Sequence, residues 1–294
     1  MTSLLGLTLF IFCASVVAGS IGSLLGLGGG VVVVPILTLV LHLPIQYAIG
    51  ASIISVIATS SGAAATYVRD RLTNLRVGMF LEIGTTLGAI TGAYIATILF
   101  GNVLYIIFAL VLLYSMYPTV SRLIRDRAAV RGGTRDGHAE VVSASDGLAT
   151  ALRLDGEFYD QAGKRTVRYG VRQVPLGFAI MYGAGIASGL LGIGGGVFKV
   201  LALDNAMGMP IKASSATSNF MIGATAAASA GIYFLRGDIN PVIAGPVALG
   251  VLGGAIIGTR LLTRLAGGTV RLLFALVLAL VAVQMILRGF GVQL

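Results

Sequence analysis

Lys199 and Glu82 are charged residues that fall inside long apolar stretches of this chain, where a charge needs a reason. Lys199 stands in the first turn after a glycine run, and a cation at a helix start is disfavoured by the helix dipole. Either it contacts an anion directly, or it snorkels to the membrane surface or pairs with Asp204. Glu82 follows the basic Arg76 by about two helical turns. It either titrates and couples transport to protons, or pairs with a nearby loop arginine. Neutral donors complete the set: Ser52, Thr59, Ser60 and Ser61 in the first half, and Ser214, Ser215, Thr217, Ser218, Asn219 and Thr225 in the second. Hydroxyls and amides can replace an anion's water without trapping it, although they also glue helices together. Ser52, Thr59, Ser218, Asn219 and Thr225 are the favoured anion contacts, because their helices follow the glycine runs.

Those runs are Gly26-Leu27-Gly28-Gly29-Gly30 and Gly192-Ile193-Gly194-Gly195-Gly196. After each comes a short apolar arm, Val31–Leu41 or Val197–Leu203. Ten residues at about 1.5 Å each cover only half of a hydrocarbon core. A bent hairpin is therefore expected in each half, with its glycine turn inside the membrane, where irregular backbone must line protein or a polar cavity. Free N–H groups at Gly28, Gly29 and Gly30, and at Gly194, Gly195 and Gly196, could hold an anion near the midplane. The competing reading is that these glycines only let helices touch. Nucleotide binding lacks both its GK[ST] ending and its GxGxxG spacing. Gly84, Gly88 and Gly92, like Gly250, Gly254 and Gly258, have the small-xxx-small spacing of packed helices.

The elements that position these residues are helices in lipid. Only 11% of the 294 residues are charged and 56% are hydrophobic, too little charge for a water-soluble surface. Mean hydropathy is +0.96. Apolar runs of about 20 residues, enough to span a bilayer, cover about 4–25, 46–67, 77–99, 103–120, 174–191, 211–234, 242–262 and 271–287. The net charge of +9 reflects arginines in loops that orient helices, and no nucleic-acid partner is expected. Cys13 is the single cysteine, and His42 and His138 fall in predicted loops. No catalytic dyad, metal cluster or cofactor is expected, and the chain is not read as an enzyme. Thr2–Ser20 could pass for a signal peptide, but it lacks a basic start and belongs to the repeat.

That repeat is the strongest pattern. LLGLGGGV at Leu24–Val31 recurs as LLGIGGGV at Leu190–Val197, an offset of 166 residues. The offset holds without a gap: Pro44 matches Pro210, Ser52 matches Ser218, Thr59 matches Thr225, Tyr67 matches Tyr233, and Phe108–Leu112 recurs as Phe274–Leu278. Arginines then orient the copies. The loop at 69–76 carries Arg69, Arg71 and Arg76 and the connection at 100–102 none, whereas in the second copy Arg236 is balanced by Asp238 and the later loop carries Arg260, Arg264 and Arg271. Matching loops thus lie on opposite sides, which makes the repeats inverted. The expected fold is an all-α polytopic membrane protein with two inverted-topology repeats, each a glycine-broken helical hairpin plus three transmembrane helices. Residues 1–121 and 174–294 are the two membrane repeats.

Between them, 122–173 holds ten of the 20 basic and seven of the 11 acidic residues and is read as a cytoplasmic linker. Alternation over Ala151–Tyr159 and Arg165–Arg172, around the turn-like Gln161–Lys164, predicts a small β-hairpin, and Arg131–Asp146 is read as unstructured. A plain linker is favoured over a regulatory element.

The duplicated glycine signature, with the polar helices ASIISVIATSSGAAATY and SSATSNFMIGATAAASAGIY, resembles the TauE/SafE family of sulfite and organosulfonate exporters. The resemblance covers nearly the whole chain outside 122–173. It implies a bacterial inner-membrane protein moving small sulfur-containing anions such as sulfite and sulfoacetate, typically outward. The reading is a secondary carrier working by alternating access, with an importer or channel-like permease for another small anion as the alternative. Expected partners are a small anionic substrate and the lipid bilayer, with a homodimer left open. With no ATP motif, the drive would be the substrate gradient, protons or the membrane potential, which is worth about 2.3 kcal/mol per charge per 100 mV.

Overall fold

Helices form wherever the apolar runs are long, and they break where glycine or a polar turn interrupts them. The computed structural model describes residues 4–24, 29–114, 116, 145–160, 165–262, 276, 279 and 281–290. In the first half, α1 (Leu4–Leu24) leads into the glycine run, and α2 (Gly30–Pro35) starts after Gly29, whose φ of 75° suits a residue without a Cβ. At Pro35 the helix widens into a π-turn over Ile36–Val40. The wider turn does not depend on proline, since the matching position in the second arm is Leu201 and the same π-turn follows it. Then follow α3 (Ile45–Arg69), α4 (Leu75–Ile98) and α5 (Gly101–Tyr114).

The second half repeats the order: α7 (Val174–Leu191), a turn with Gly192, Gly194 and Gly195 at positive φ, α8 (Gly196–Leu201) with a π-turn over Ala202–Ala206, α9 (Ile211–Leu235), α10 (Pro241–Leu262) and α11 (281–289). The second arm is longer than its apolar run, which stops at Leu203. Hydropathy fell at Asp204 and Asn205, but the backbone winds on through them.

Contacts are exchanged between the halves. α1 packs along α10 and α4 along α7, α3 crosses α9, α2 lies on α3, and α8 lies on α9. A methyl group on Gly88 of α4 would strike Tyr182 O and Ile186 N of α7, and one on Gly254 of α10 would strike Val16 O and Ser20 N of α1. Each partner in the second set is the first shifted by 166 residues. Gly185 against Thr85 O and Gly19 against Val251 O repeat the match in reverse. The small-xxx-small glycines that are described thus serve helix packing, as their spacing predicted.

Among the described residues three helices, α3, α4 and α7, are long and apolar enough to cross a membrane, and shorter apolar stretches lie in α1, α2, α5 and α10. Met79, Ile83, Leu87, Ile90, Tyr94 and Ile98 stand exposed three or four residues apart on α4. Such a continuous apolar stripe fits lipid rather than water.

The middle segment is more than a tether. It contains α6 (Gly147–Ala151) and an antiparallel hairpin of β1 (Gly156–Asp160) and β2 (Arg165–Tyr169), in register from Gly156 opposite Tyr169 to Asp160 opposite Arg165. The hairpin begins five residues later than alternation indicated, because Ala151 closes α6. Of the stretch read as unstructured, only Ser145 and Asp146 are described, and Asp146 caps α6 through the Ala149 N–H. Ala149, Leu154, Phe158, Tyr169 and Val171 are buried with Val77, Leu81, Val174, Met207 and Ala213 of the helical body. Asn74, which caps α4, donates to Leu154 O (2.8 Å) and to the Tyr169 hydroxyl (3.2 Å), and its own N–H donates to Thr217 Oγ1 of α9 (3.0 Å). Burial holds the Tyr169 phenol above its ordinary value, and the Asn74 hydrogen bond opposes the shift in part.

Candidate functional site

The two glycine turns meet. A methyl group on Gly30 would lie 2.7 Å from Ser52 Oγ, 2.8 Å from Val56 Cγ2 and 2.9 Å from Gly192 O, so nothing larger than glycine fits where one turn touches the other. Ser52 Oγ of α3 donates to Gly192 O (2.8 Å), and its counterpart Ser218 of α9 donates to Gly196 O (3.3 Å). Tyr233 of α9 donates to Gly189 O (2.9 Å) at the end of α7. The polar helices therefore hold the turn carbonyls in place. Gly29, Gly194 and Gly195 take positive φ at the turns, while Gly28 lies outside the described residues.

One turn beyond Gly196 lies the charged centre. Lys199 of α8 is completely buried, and its Nζ donates to Thr225 Oγ1 of α9. The Thr225 hydroxyl in turn donates to Glu82 Oε1 of α4 (2.7 Å), which also accepts from Thr86 (3.1 Å); Thr85 Oγ1 lies 3.3 Å from Thr225 Oγ1. Glu82 Oε2 is buried with no hydrogen-bond partner. An isolated charge at this depth costs several kcal/mol, and the two opposite charges offset that cost through the shared hydroxyl.

This corrects two of the readings left open above. Lys199 neither snorkels nor turns to Asp204; its counter-charge is Glu82. Glu82 does not pair with Arg76, whose guanidinium donates to Arg153 O (3.2 Å) on the middle segment. Thr59 and Asn219 each make a hydrogen bond within their own helix, Thr59 to Ser55 O (2.9 Å) and Asn219 to Ser215 O (2.9 Å). Thr85 and Thr86 were missed. Their signal was available, because residues three and four places after Glu82 share its helix face.

Under the 166-residue offset, Lys199 corresponds to Val33, Thr225 to Thr59, and Glu82, Thr85 and Thr86 to Ala248, Val251 and Leu252. Gly29 and its counterpart Gly195 share a positive φ, whereas the charged residues have only apolar counterparts. A buried lysine in a body of apolar helices marks a helical membrane protein with a polar centre.

The chain belongs to the TauE/SafE family: the family model described as "Sulfite exporter TauE/SafE" matches residues 11–285. It is thereby a membrane transporter. It is 27% identical over 281 residues to "Probable membrane transporter protein YunE" of Bacillus subtilis (strain 168), covering 93% of this chain and 95% of that one. It is 25% identical over 254 residues to "Probable membrane transporter protein YdhB" of the same organism, covering 86% of this chain and 87% of the relative. "Probable membrane transporter protein ORF9" of Sinorhizobium sp is 24% identical over 256 residues, covering 85% of this chain and 81% of the relative. No solved structure gives a significant match.

Proposed function

We propose that this transporter exports small sulfur-containing anions, sulfite or organosulfonates, across the bacterial inner membrane by alternating access between two inverted repeats, with 122–173 on the cytoplasmic side. The observation that carries the reading is the fully buried Lys199 beside the junction of the two glycine turns. A buried ammonium attracts an oxyanion strongly in a low-dielectric site, and its geometry suits three tetrahedral oxygens. Thr225 bonds the ammonium directly, and Thr85 and Thr86 lie beside Thr225 and Glu82 with hydroxyls that can follow either the protein's carboxylate or a substrate oxygen. Ser52 and Ser218 hold the turns, and Gly30 and Gly194 let the backbone pack closely against Ser52, Val56 and Ile222. Helix contacts exchanged between the halves support a mechanism in which one half rocks against the other around the site.

The sulfur class rests on the family. Flux of sulfite, sulfoacetate, taurine, methanesulfonate and sulfate through proteoliposomes tests it. Movement of at least one sulfonate or of sulfite, driven outward by its own gradient, supports the reading; movement of sulfate alone would shift it to another anion, and one-way uptake to an importer.

A further inference from the structure

We infer that Glu82 is a built-in anion that occupies Lys199 in the empty site, and that the substrate is a monoanion which enters together with one proton on Glu82. The inference rests on the anion-transport reading above and adds charge state and stoichiometry. It starts from the arrangement of the carboxylate. Glu82 Oε1 takes both hydroxyl donors, from Thr225 and Thr86, and Oε2 has none although it is buried. A proton arriving from water settles on Oε2 without disturbing those bonds. It also turns Oε2 from an acceptor lacking a donor into a donor, and an oxygen of the incoming anion accepts from it.

Charge then selects the ligand. The empty site holds one ammonium and one carboxylate, net zero. A monoanion added to that pair leaves an uncompensated negative charge in the membrane interior, which is costly. Protonated Glu82, Lys199 and a monoanion again sum to zero. A dianion leaves the excess even after Glu82 is protonated. Within the proposed class, bisulfite and simple alkanesulfonates therefore fit better than fully ionised sulfoacetate. Among the described residues no other charge acts on the pair, although Asp204 stands in the π-turn that follows α8. α8 presents Lys199 and α9 presents the Thr225 hydroxyl. α7 meets α4 near Glu82 through Phe178 against Gly84, and the titratable residue of α7, Tyr182, sits by Thr91. Lys212 stands at the start of α9, exposed and more than three turns from Thr225. Because empty and loaded sites carry the same charge, each cycle moves one anion and one proton and no net charge.

Methanesulfonate, a monoanion at all working pH values, is the probe, in proteoliposomes with an internal pH dye and a potassium–valinomycin clamp. The expected result is one proton moved per methanesulfonate, a rate unchanged by the clamped potential, and sulfate moved at least about tenfold more slowly. Glu82→Gln should carry methanesulfonate without protons and become sensitive to the potential, because its empty site bears an extra positive charge. Glu82→Asp should keep the one-to-one coupling. Wild-type flux that follows the potential and moves no protons overturns the inference and leaves anion transport standing. No flux of methanesulfonate, sulfite or any other anion overturns the transport reading itself.

Discussion

Thr225 is the residue on which the charged centre turns, since its hydroxyl accepts from Lys199 and donates to Glu82. Thr225→Val keeps the volume but removes both bonds, leaving an ammonium and a carboxylate buried without their bridge. That costs about 1–3 kcal/mol, and the variant should melt at lower temperature in detergent with flux reduced at least about tenfold; Thr225→Ser should keep most of both. Equal melting and flux for the valine variant would show that the bridge is incidental. Lys199 and Glu82 could each be singled out from sequence, as charges in apolar surroundings. Their pairing could not, because they lie in different halves and the 166-residue offset maps each onto an apolar residue. The repeat, so informative about backbone, carries no information about a feature that only one copy has.

Helix boundaries were legible wherever hydropathy and helix coincide, as in α3, α4 and α7. They were less so in the second arm, where Asp204 and Asn205 end the apolar run but not the helix, and at Ala151, which continues α6 instead of opening a strand. The docking of the hairpin was hidden for a similar reason. A charged segment reads as solvated, yet Leu154, Phe158 and Tyr169 turn one face onto the helices and Asn74 fastens it. Close packing of α4 on α7 can be tested at its glycines. A Cβ at Gly88 collides with backbone that cannot move alone, whereas one at Gly183 meets open space. Gly88→Ala should destabilise by about 1–3 kcal/mol, in the range of overpacking, while Gly183→Ala should be neutral or slightly stabilising, through helix propensity. Thermal unfolding of both variants checks this, and equal behaviour would contradict the contact.

Across the whole molecule, duplication sets the architecture and divergence sets the chemistry. Halves that grip each other through matched contacts, α1 on α10 and α4 on α7, bring Gly30 against Gly192. One half then supplies Lys199 and Thr225, and the other supplies Glu82 with its two threonines. Neither half holds the proposed site alone, so under the proposed alternating access a movement of one half against the other would reshape it. The central claim is that the buried ammonium is what the anion binds. Equilibrium binding of methanesulfonate to purified protein tests it most directly, comparing wild type with Lys199→Met and with Lys212→Met, which removes an exposed lysine instead. Lys199→Met should weaken binding at least about tenfold, while Lys212→Met should leave it unchanged. Wild-type affinity in Lys199→Met would contradict it.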